Sequence, residues 1–284
     1  MDLTVKEMFS LGKEVLKTSG YEVYEADAQT LLGHVLNMDR AKLFLHGDTI
    51  VENEQRIRYE ENLNRVAAGE PLQYVMGEAY FMGHRFAVDP SVLIPRPETE
   101  LLCEMAIMAA QVTYEKPDIL DLCTGSGALA ISIALAVQTA NITASDISEA
   151  ALDTAKTNAK ALLTSPDITF FHSDLFENLP DKRYDLIVTN PPYISKEDLN
   201  GLPVEVRRYE PQVALDGGDD GLDFYHRIAN EAGKFLKPGG MLLAEIGCDQ
   251  GQQIKAAFEA AGFSEISIFK DLTGRDRIVK AMLF

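Results

Sequence analysis

A chain of 284 residues, 46% hydrophobic and 25% charged, has the composition of an ordinary globular protein, and its length suits one large domain and one smaller one. No apolar run is long enough to span a membrane, and the opening MDLTVKEMFS has neither the basic nor the apolar region of a secretory signal, so a cytoplasmic location is expected. The formal net charge is −18, and residues 1–80 and 81–284 are each acidic, which argues against a nucleic-acid duplex as direct substrate.

In chain order, the first seventy residues carry helical periodicity. Val5, Met8, Phe9, Val15 and Leu16 fall near one helical face, and Ala28, Leu31, Leu32, Val35 and Leu36 repeat the three-and-four spacing. A longer helix is expected from a cap at Asn53 through Ile57, Leu63 and Val66 to Gly69, with Pro71 beyond. Residues 1–72 are therefore expected to form a small helical bundle. Residues 73–97 hold short aromatic and β-branched runs broken by Gly83, Pro90, Pro95 and Pro97, which predicts a β-hairpin connector and a stiff loop leading into a helix near 99–110.

From residue 98 to 284 strands and helices alternate. Strands are expected at 119–122, 141–145, 168–171, 186–189 and 241–246, with helices at 128–137, 149–163 and 224–236. Ser148 is expected to cap the second of these helices, and Lys237-Pro238-Gly239-Gly240 to end the third. Near-continuous apolar strands alternating with helices predict a Rossmann-like α/β domain, a mainly parallel sheet covered on both faces. The tail EISIFKDLTGRDRIVKAMLF predicts an antiparallel pair at its edge. Cys103, Cys123 and Cys248 lie far apart, with no CxxC pair and no histidine cluster, so no disulfide framework and no metal site is expected.

The stretch ILDLCTGSGALAISIAL reads as strand, glycine loop and helix. Gly125 and Gly127 allow close approach of a ligand, and the helix N-terminus beyond offers free N–H groups. Asp146, after the next strand, is placed to accept hydrogen bonds from a ribose diol. The loop fits the dinucleotide pattern only loosely and lacks the lysine of a phosphate loop. Asp121, on the strand before it, would repel a pyrophosphate but suits the ammonium end of a methionine moiety. This favours S-adenosylmethionine over NAD. Asp174, after the third strand, can reach an adenine amino group or can simply close a turn.

The stretch DLIVTNPPYI ends a core strand on Asn190, Pro191, Pro192 and Tyr193. The nitrogen of a planar NH2 group is a poor nucleophile because its lone pair is delocalised. Methylating it calls for two hydrogen-bond acceptors that let it pyramidalise toward the methyl donor. The Asn190 side-chain oxygen is one, and the Pro191 carbonyl, aimed by two consecutive proline rings, is the other. Tyr193 adds a flat face beside the group. Alignment and electrostatic support then do the work of a base. The motif narrows the acceptor to a planar NH2, glutamine or adenine.

The segments GEPLQYVMGEAYFMGHRFAVDPSVLIPRPETE, DLCTGSGALAISIAL, YDLIVTNPPYI, EPQVALDGGDDGLDFYHRI, LKPGGMLLAEIG and GRDR together resemble the HemK/PrmC family of release-factor glutamine N5-methyltransferases. The resemblance implies a seven-stranded methyltransferase sheet and transfer of a methyl group from S-adenosylmethionine to the glutamine of the Gly-Gly-Gln loop of class I peptide chain release factors, leaving S-adenosylhomocysteine. By motif position it implies a methionine-side loop of Cys123, Thr124, Gly125, Ser126 and Gly127, a ribose contact at Asp146, an adenine contact at Leu175, and glutamine binding by Asn190 to Tyr193. Arg96, Glu98 and Thr99 of PRPETE shape the substrate mouth on the same reading, unless Arg96 serves a structural ion pair. Residues 1–72 would dock the release factor. Cys123 stands where the family has glycine and Leu175 where it often has an aromatic. The same chemistry on a ribosomal-protein glutamine or on adenine N6 is the alternative, and the acidic charge weighs against nucleic acid. An NAD enzyme or nucleotide-binding scaffold would leave Asn-Pro-Pro-Tyr idle.

Overall fold

The computed structural model describes residues 3–113, 115–164 and 168–284. The chain divides into two compact units. One runs to Gly77 and also takes in Val204–Tyr209; the other comprises Glu78–Pro203 and Glu210–Phe284.

The first unit is helical: α1 (Val5–Thr18), α2 (Tyr24–Leu36), α3 (Arg40–Leu45), α4 (Asn53–Ala67) and α5 (Leu72–Met76). A reciprocal capping box between Thr4 and Glu7 starts α1. Its core gathers Met8 and Leu16 of α1, Ala28, Leu31 and Leu32 of α2, and Tyr59, Leu63 and Val66 of α4. The helix expected through Ile57, Leu63 and Val66 is present as α4, and its expected cap is off by one residue. Ile57 is 42% exposed, because the buried face of α4 follows Tyr59, Leu63 and Val66 at four- and three-residue steps. Asn53 is the first helical residue, with Glu52 at the cap position. Tyr59 can be buried because its hydroxyl donates to the Ala28 carbonyl at 3.0 Å.

The second unit begins with a hairpin, β1 (Glu78–Phe81) and β2 (His84–Ala87). Met82 and Gly83 both have positive φ, as a two-residue hairpin turn requires. Phe81 and Phe86 pack edge to face and join the core of the large sheet. The Asn158 side chain clamps the far end of the hairpin, accepting from the Ala87 N–H at 2.7 Å and donating to its carbonyl at 3.0 Å.

The elements that follow are α6 (Pro97–Thr113), β3 (Asp118–Leu122), α7 (Ala128–Ala136), β4 (Asn141–Asp146), α8 (Glu149–Leu162), β5 (Ile168–His172), β6 (Tyr184–Thr189), α9 (Lys196–Leu199), α10 (Val204–Tyr209, counted with the first unit), α11 (Asp223–Phe235), β7 (Leu236–Glu245), α12 (Gly251–Ala260), β8 (Ser264–Lys270) and β9 (Asp276–Met282). Seven strands form one sheet in the order β5-β4-β3-β6-β7-β9-β8. Strands β3 to β7 are parallel, and β9 runs antiparallel to both β7 and β8. The Rossmann-like sheet and its antiparallel edge are as the sequence predicts. Strand side chains alternate between two covered faces. Ile119, Leu186 and Val188 face one core with α6 and α7; Leu120, Leu122 and Ile187 face the other with α11 and α12.

Ser148 caps α8 as expected, accepting from the Ala151 N–H. Lys237 to Gly240 behave differently from the expectation. Helix α11 stops at Phe235, and the Pro-Gly-Gly stretch is the irregular start of β7. Gly239 takes φ +76° there and its N–H reaches the Leu283 carbonyl at 2.7 Å, so the segment pairs with the C-terminus.

Removing most of the Ile187 side chain, which is fully buried at the sheet centre, leaves a cavity. Ile187→Ala is expected to cost about 2–5 kcal/mol of unfolding free energy in a denaturant titration, and Ile57→Ala at the surface under about 0.5 kcal/mol.

Candidate active site

The parallel register places the site. Leu122 pairs with Ser145 and with Thr189, and Thr189 pairs with Ala244. One residue past this row come Cys123, Asp146, Asn190 and Glu245, at the C-terminal ends of β3, β4, β6 and β7. Between β3 and its neighbours the strand order reverses, the place where open α/β sheets bind ligands. A cavity opens there. Its lining includes Cys123, Thr124, Gly125, Ser126, Asp146, Asp174, Leu175, Asn190, Pro192, Arg96 and Thr99.

The glycine loop is held from below. The Thr124 N–H donates to the Ser145 carbonyl at 3.0 Å, and the Gly125 N–H donates to Asp146 Oδ2 at 2.8 Å. Asp146 Oδ1 accepts from the Ser148 N–H at 2.9 Å. Gly125 has φ +54°, and a Cβ built there meets open space, so its bare backbone faces room for a ligand. Gly127 serves packing instead: at φ +80° a Cβ would lie 2.8 Å from Ile131 Cδ1 and 3.2 Å from Ala155 Cβ. Cys123, at φ +59°, and Leu175, at φ +49°, are left-handed without being glycine. Each such residue costs about 1–3 kcal/mol of backbone strain. The glycine expected at position 123 thus has a conformational reason.

Asp121 does not line the cavity. It is fully buried behind the loop, its Oδ2 accepting from the Thr124 hydroxyl at 2.6 Å and from the Ala130 N–H at 3.2 Å. Its Oδ1 is buried without a partner among the described residues. Burial pushes its pKa up to about 7, against the hydrogen bonds that lower it. Burial also raises Asp146 and Glu245. Asp174 carries an ion pair, its Oδ1 lying 2.9 Å from the Arg227 guanidinium. Leu175 is buried against the cavity, and Phe224 lines the same space with its ring.

At the end of β6, the Asn190 Nδ2 donates to the Thr99 hydroxyl at 3.2 Å. Among the described residues no hydrogen bond engages Asn190 Oδ1 or the Pro191 carbonyl. Pro192 lines the cavity, whereas Pro191, buried, and Tyr193, half-buried, are not among its lining residues. Tyr193 is pinned on three sides. Its hydroxyl donates to Glu245 Oε1 at 3.3 Å, and its carbonyl accepts from Gln250 Nε2 at 2.9 Å. A Cβ on Gly217 would sit 2.8 Å from the Tyr193 backbone, and one on Gly221 would sit 2.4 Å from its carbonyl oxygen. The two glycines therefore let the DGGDDG loop close onto the turn.

Arg96 forms an ion pair with Glu210, whose side chain is almost wholly buried and also accepts from the Ile94 N–H. The structural role of Arg96 is thus present, although the residue also lines the cavity. Glu98 is exposed in the first turn of α6 and is not part of the lining. Sequence reasoning missed Glu245, Gln250 and Phe224. Glu245 sits in an apolar strand, Phe224 in the first turn of α11 and Gln250 in the turn before α12, and none is marked by its local sequence. Among the described residues no group of acidic, histidine or cysteine side chains could hold a metal ion, and no helix is long and apolar enough to cross a membrane.

Comparison with known proteins gives this geometry a relationship. The model for the PrmC N-terminal domain matches residues 7–77, and the model for the methyltransferase small domain matches residues 99–203. A release factor glutamine methyltransferase of Cereibacter sphaeroides is 41% identical, over 94% of this chain and 94% of the relative. The chain belongs to the release factor glutamine methyltransferase family. A second member of this family, from Clostridium acetobutylicum, is 36% identical over 99% of each chain. Among solved structures, a ribosomal protein L11 methylase from Lactobacillus delbrueckii subsp. bulgaricus shares the fold, with a TM-score of 0.50 at 23% identity, over 69% of this chain and 84% of that one. The family resemblance read from the sequence motifs is borne out, and the methyltransferase sheet with it.

The buried Asp121 makes a pH prediction. Its folded pKa of about 7 exceeds the ordinary 3.8, so the folded chain keeps a proton that the unfolded chain has already lost. Stability therefore falls as pH rises through that window. Melting temperatures measured from pH 4 to pH 8 are expected to fall less in Asp121→Asn than in the wild-type chain.

Proposed function

We propose that the chain transfers a methyl group from S-adenosylmethionine to the side-chain amide nitrogen of the glutamine in the Gly-Gly-Gln motif of class I peptide chain release factors. The single observation that carries the reading is the Asn190 amide. Its nitrogen is engaged by Thr99, and its oxygen is left as an acceptor at the edge of the cavity.

The residues present suit the methyl donor. Asp121, buried behind the loop, would support the methionine portion indirectly by holding Thr124 and the Ala130 N–H in place. Gly125 leaves open space where a ligand backbone contact is needed. Cys123, Thr124, Ser126 and Gly127 would follow the methionine portion. Asp146 would accept from the ribose hydroxyls with the lone pairs that its two backbone bonds leave free. Asp174 and Leu175 would bound the adenine, and the Phe224 ring on the same cavity offers a stacking surface that Leu175 lacks.

When bound, S-adenosylmethionine supplies an electrophilic methyl group. The glutamine N–H groups would donate to Asn190 Oδ1 and to the Pro191 carbonyl, which leaves the nitrogen lone pair facing the donor. The new carbon–nitrogen bond would form as the carbon–sulfur bond breaks, leaving neutral S-adenosylhomocysteine, and the nitrogen would give up one proton to solvent. Pro191 and Pro192 hold the carbonyl direction because neither can rotate freely about φ. Pro192 and Thr99 line the cavity beside Asn190, and the Tyr193 ring would flank the substrate amide. Arg96 would act at the mouth through its pairing with Glu210, and Glu98 would meet the protein substrate from its exposed position. The helical unit would dock the release factor. Phe44 and Leu45, at 86% and 76% exposed, support an apolar contact there. The net charge of −18 suits a partner with a basic surface. The reaction belongs in the cytoplasm on this reading.

The test is methyl transfer from labelled S-adenosylmethionine to a release factor and to its Gln→Ala variant. Label is expected in the first and absent from the second. Asn190→Ala is expected to lower the rate by about 10²–10³-fold. Label that persists in the Gln→Ala protein contradicts the proposal. Efficient transfer to naked nucleic acid at physiological salt would favour adenine N6 as the acceptor.

A further inference from the structure

A buried side-chain amide is fully satisfied only when its oxygen accepts a hydrogen bond and both of its hydrogens are donated. Asn158, on α8, meets that condition with three backbone groups from two distant segments. Its Oδ1 accepts from the Ala87 N–H at 2.7 Å. Its Nδ2 donates to the Ala87 carbonyl at 3.0 Å and to the Ser126 carbonyl at 2.9 Å. The amide cannot be turned over, because it would then present N–H groups to an N–H and its oxygen to two carbonyls. The residue is 2% exposed.

The Ser126 carbonyl needs a partner from outside its own helix. The first bond of α7 runs from the Ile131 N–H to the Gly127 carbonyl at 2.9 Å, so Ser126 lies one residue ahead of the helix ladder. Ser126 is buried, and a buried carbonyl left alone is costly. Two further contacts of α8 flank the amide. About one turn earlier, Ala155 lies against Gly127, where a Cβ on the glycine would come 3.2 Å from the Ala155 Cβ. The Thr154 hydroxyl lies 3.2 Å from that of Ser91. Thr154, Ala155 and Asn158 thus join two stretches of chain to one helix. The first is the glycine loop, and the second is the segment that leaves β2 at Ala87. Thr124, Gly125 and Ser126 of the one and Ser91, Val92 and Leu93 of the other line the same cavity. Asn158 and Ala87 are not among its lining residues.

We propose that Asn158 is a positioning residue for the methyl donor: by bonding the Ser126 carbonyl and both backbone groups of Ala87, it fixes the glycine loop relative to the segment 88–93 and so sets the shape of the donor cavity. The role rests on the reading that this cavity takes S-adenosylmethionine. Asn158 touches no reacting atom, so its loss falls on donor binding and leaves the Asn190 acceptor in place.

The experiment compares the wild-type chain with Asn158→Ala, Asn158→Asp and Phe258→Leu. Asn158→Asp keeps the size of the side chain and an acceptor for the Ala87 N–H but gives up the amide donors. Phe258→Leu is a core substitution in α12, where the ring packs on Phe263 and does not line the cavity, and it supplies a destabilised control. Titration calorimetry with S-adenosylhomocysteine is run at a temperature where melting curves show each variant folded. Binding is expected to weaken by about tenfold or more in both Asn158 variants and to stay within about twofold of wild type in Phe258→Leu. In methyl transfer to a release factor, KM for S-adenosylmethionine is expected to rise by about the same factor, while kcat at saturating donor stays within about threefold. A merely structural role would lower the melting temperature and leave affinity and KM unchanged. Wild-type affinity in both folded Asn158 variants overturns the proposal. If neither variant folds, hydrogen exchange in the wild-type chain decides. S-adenosylhomocysteine is expected to slow exchange of the Ala87 N–H by about tenfold, and an unchanged rate there overturns the proposal. A wild-type chain that binds no S-adenosylhomocysteine refutes the donor reading and this role with it. One that binds it but methylates no release factor refutes the substrate assignment alone, and the calorimetry still decides the role of Asn158.

Discussion

The hydrogen bond from the Asn190 amide to the Thr99 hydroxyl decides what the end of the central strand offers to the cavity. The sheet register delivers Asn190 one step beyond the last paired row, level with Cys123 and Asp146. The two prolines that follow cannot join a strand ladder, so the chain must leave the sheet there and cannot slide back into it. Thr99 comes from the first turn of α6, a helix packed on one face of the same sheet. An acceptor is therefore built from two rigid elements, which suits a reaction that depends on alignment more than on a strong base.

Holding the turn in this way has costs that the fold meets locally. Buried carboxyl groups at Asp121 and Glu245 each leave an oxygen unpartnered among the described residues. Cys123 and Leu175 adopt left-handed backbone without the freedom of glycine. These strained or unsatisfied positions cluster around one cavity, as they do where function sets the conformation. The structural glycines act from the other direction. Gly217 and Gly221 bring a loop against the Tyr193 backbone so closely that no side chain would fit, and Gln250 ties both together with hydrogen bonds of 2.9 and 3.2 Å. The turn is clamped from behind and open in front.

Much of this was legible in the sequence because local chemistry dictated it. Apolar runs of five or six residues could only be strands covered on both faces, and the glycine loop and Asn-Pro-Pro-Tyr carry their geometry in their own residues. What escaped depended on contacts between distant segments. Pro238 and Gly239 look like a helix stop, yet the N–H of Gly239 finds the Leu283 carbonyl and the stretch becomes strand. Asp121 was expected at the ligand and lies behind the loop, because its carboxylate binds Thr124 and Ala130. Arg96 showed its charge but not its buried partner Glu210, more than a hundred residues away. Glu245 sits in LLAEIG, where a lone acid in an apolar strand gives no sign of what it faces until the strands are aligned.

The proposed function places a glutamine amide between Asn190 Oδ1 and the Pro191 carbonyl, with its nitrogen toward the methyl donor. A crystal structure with S-adenosylhomocysteine and a Gly-Gly-Gln-containing release factor tests it most directly. The account predicts the glutamine nitrogen within hydrogen-bond distance of both oxygens. A glutamine side chain bound elsewhere in the cavity, or with its oxygen rather than its nitrogen toward Asn190 Oδ1, would contradict it.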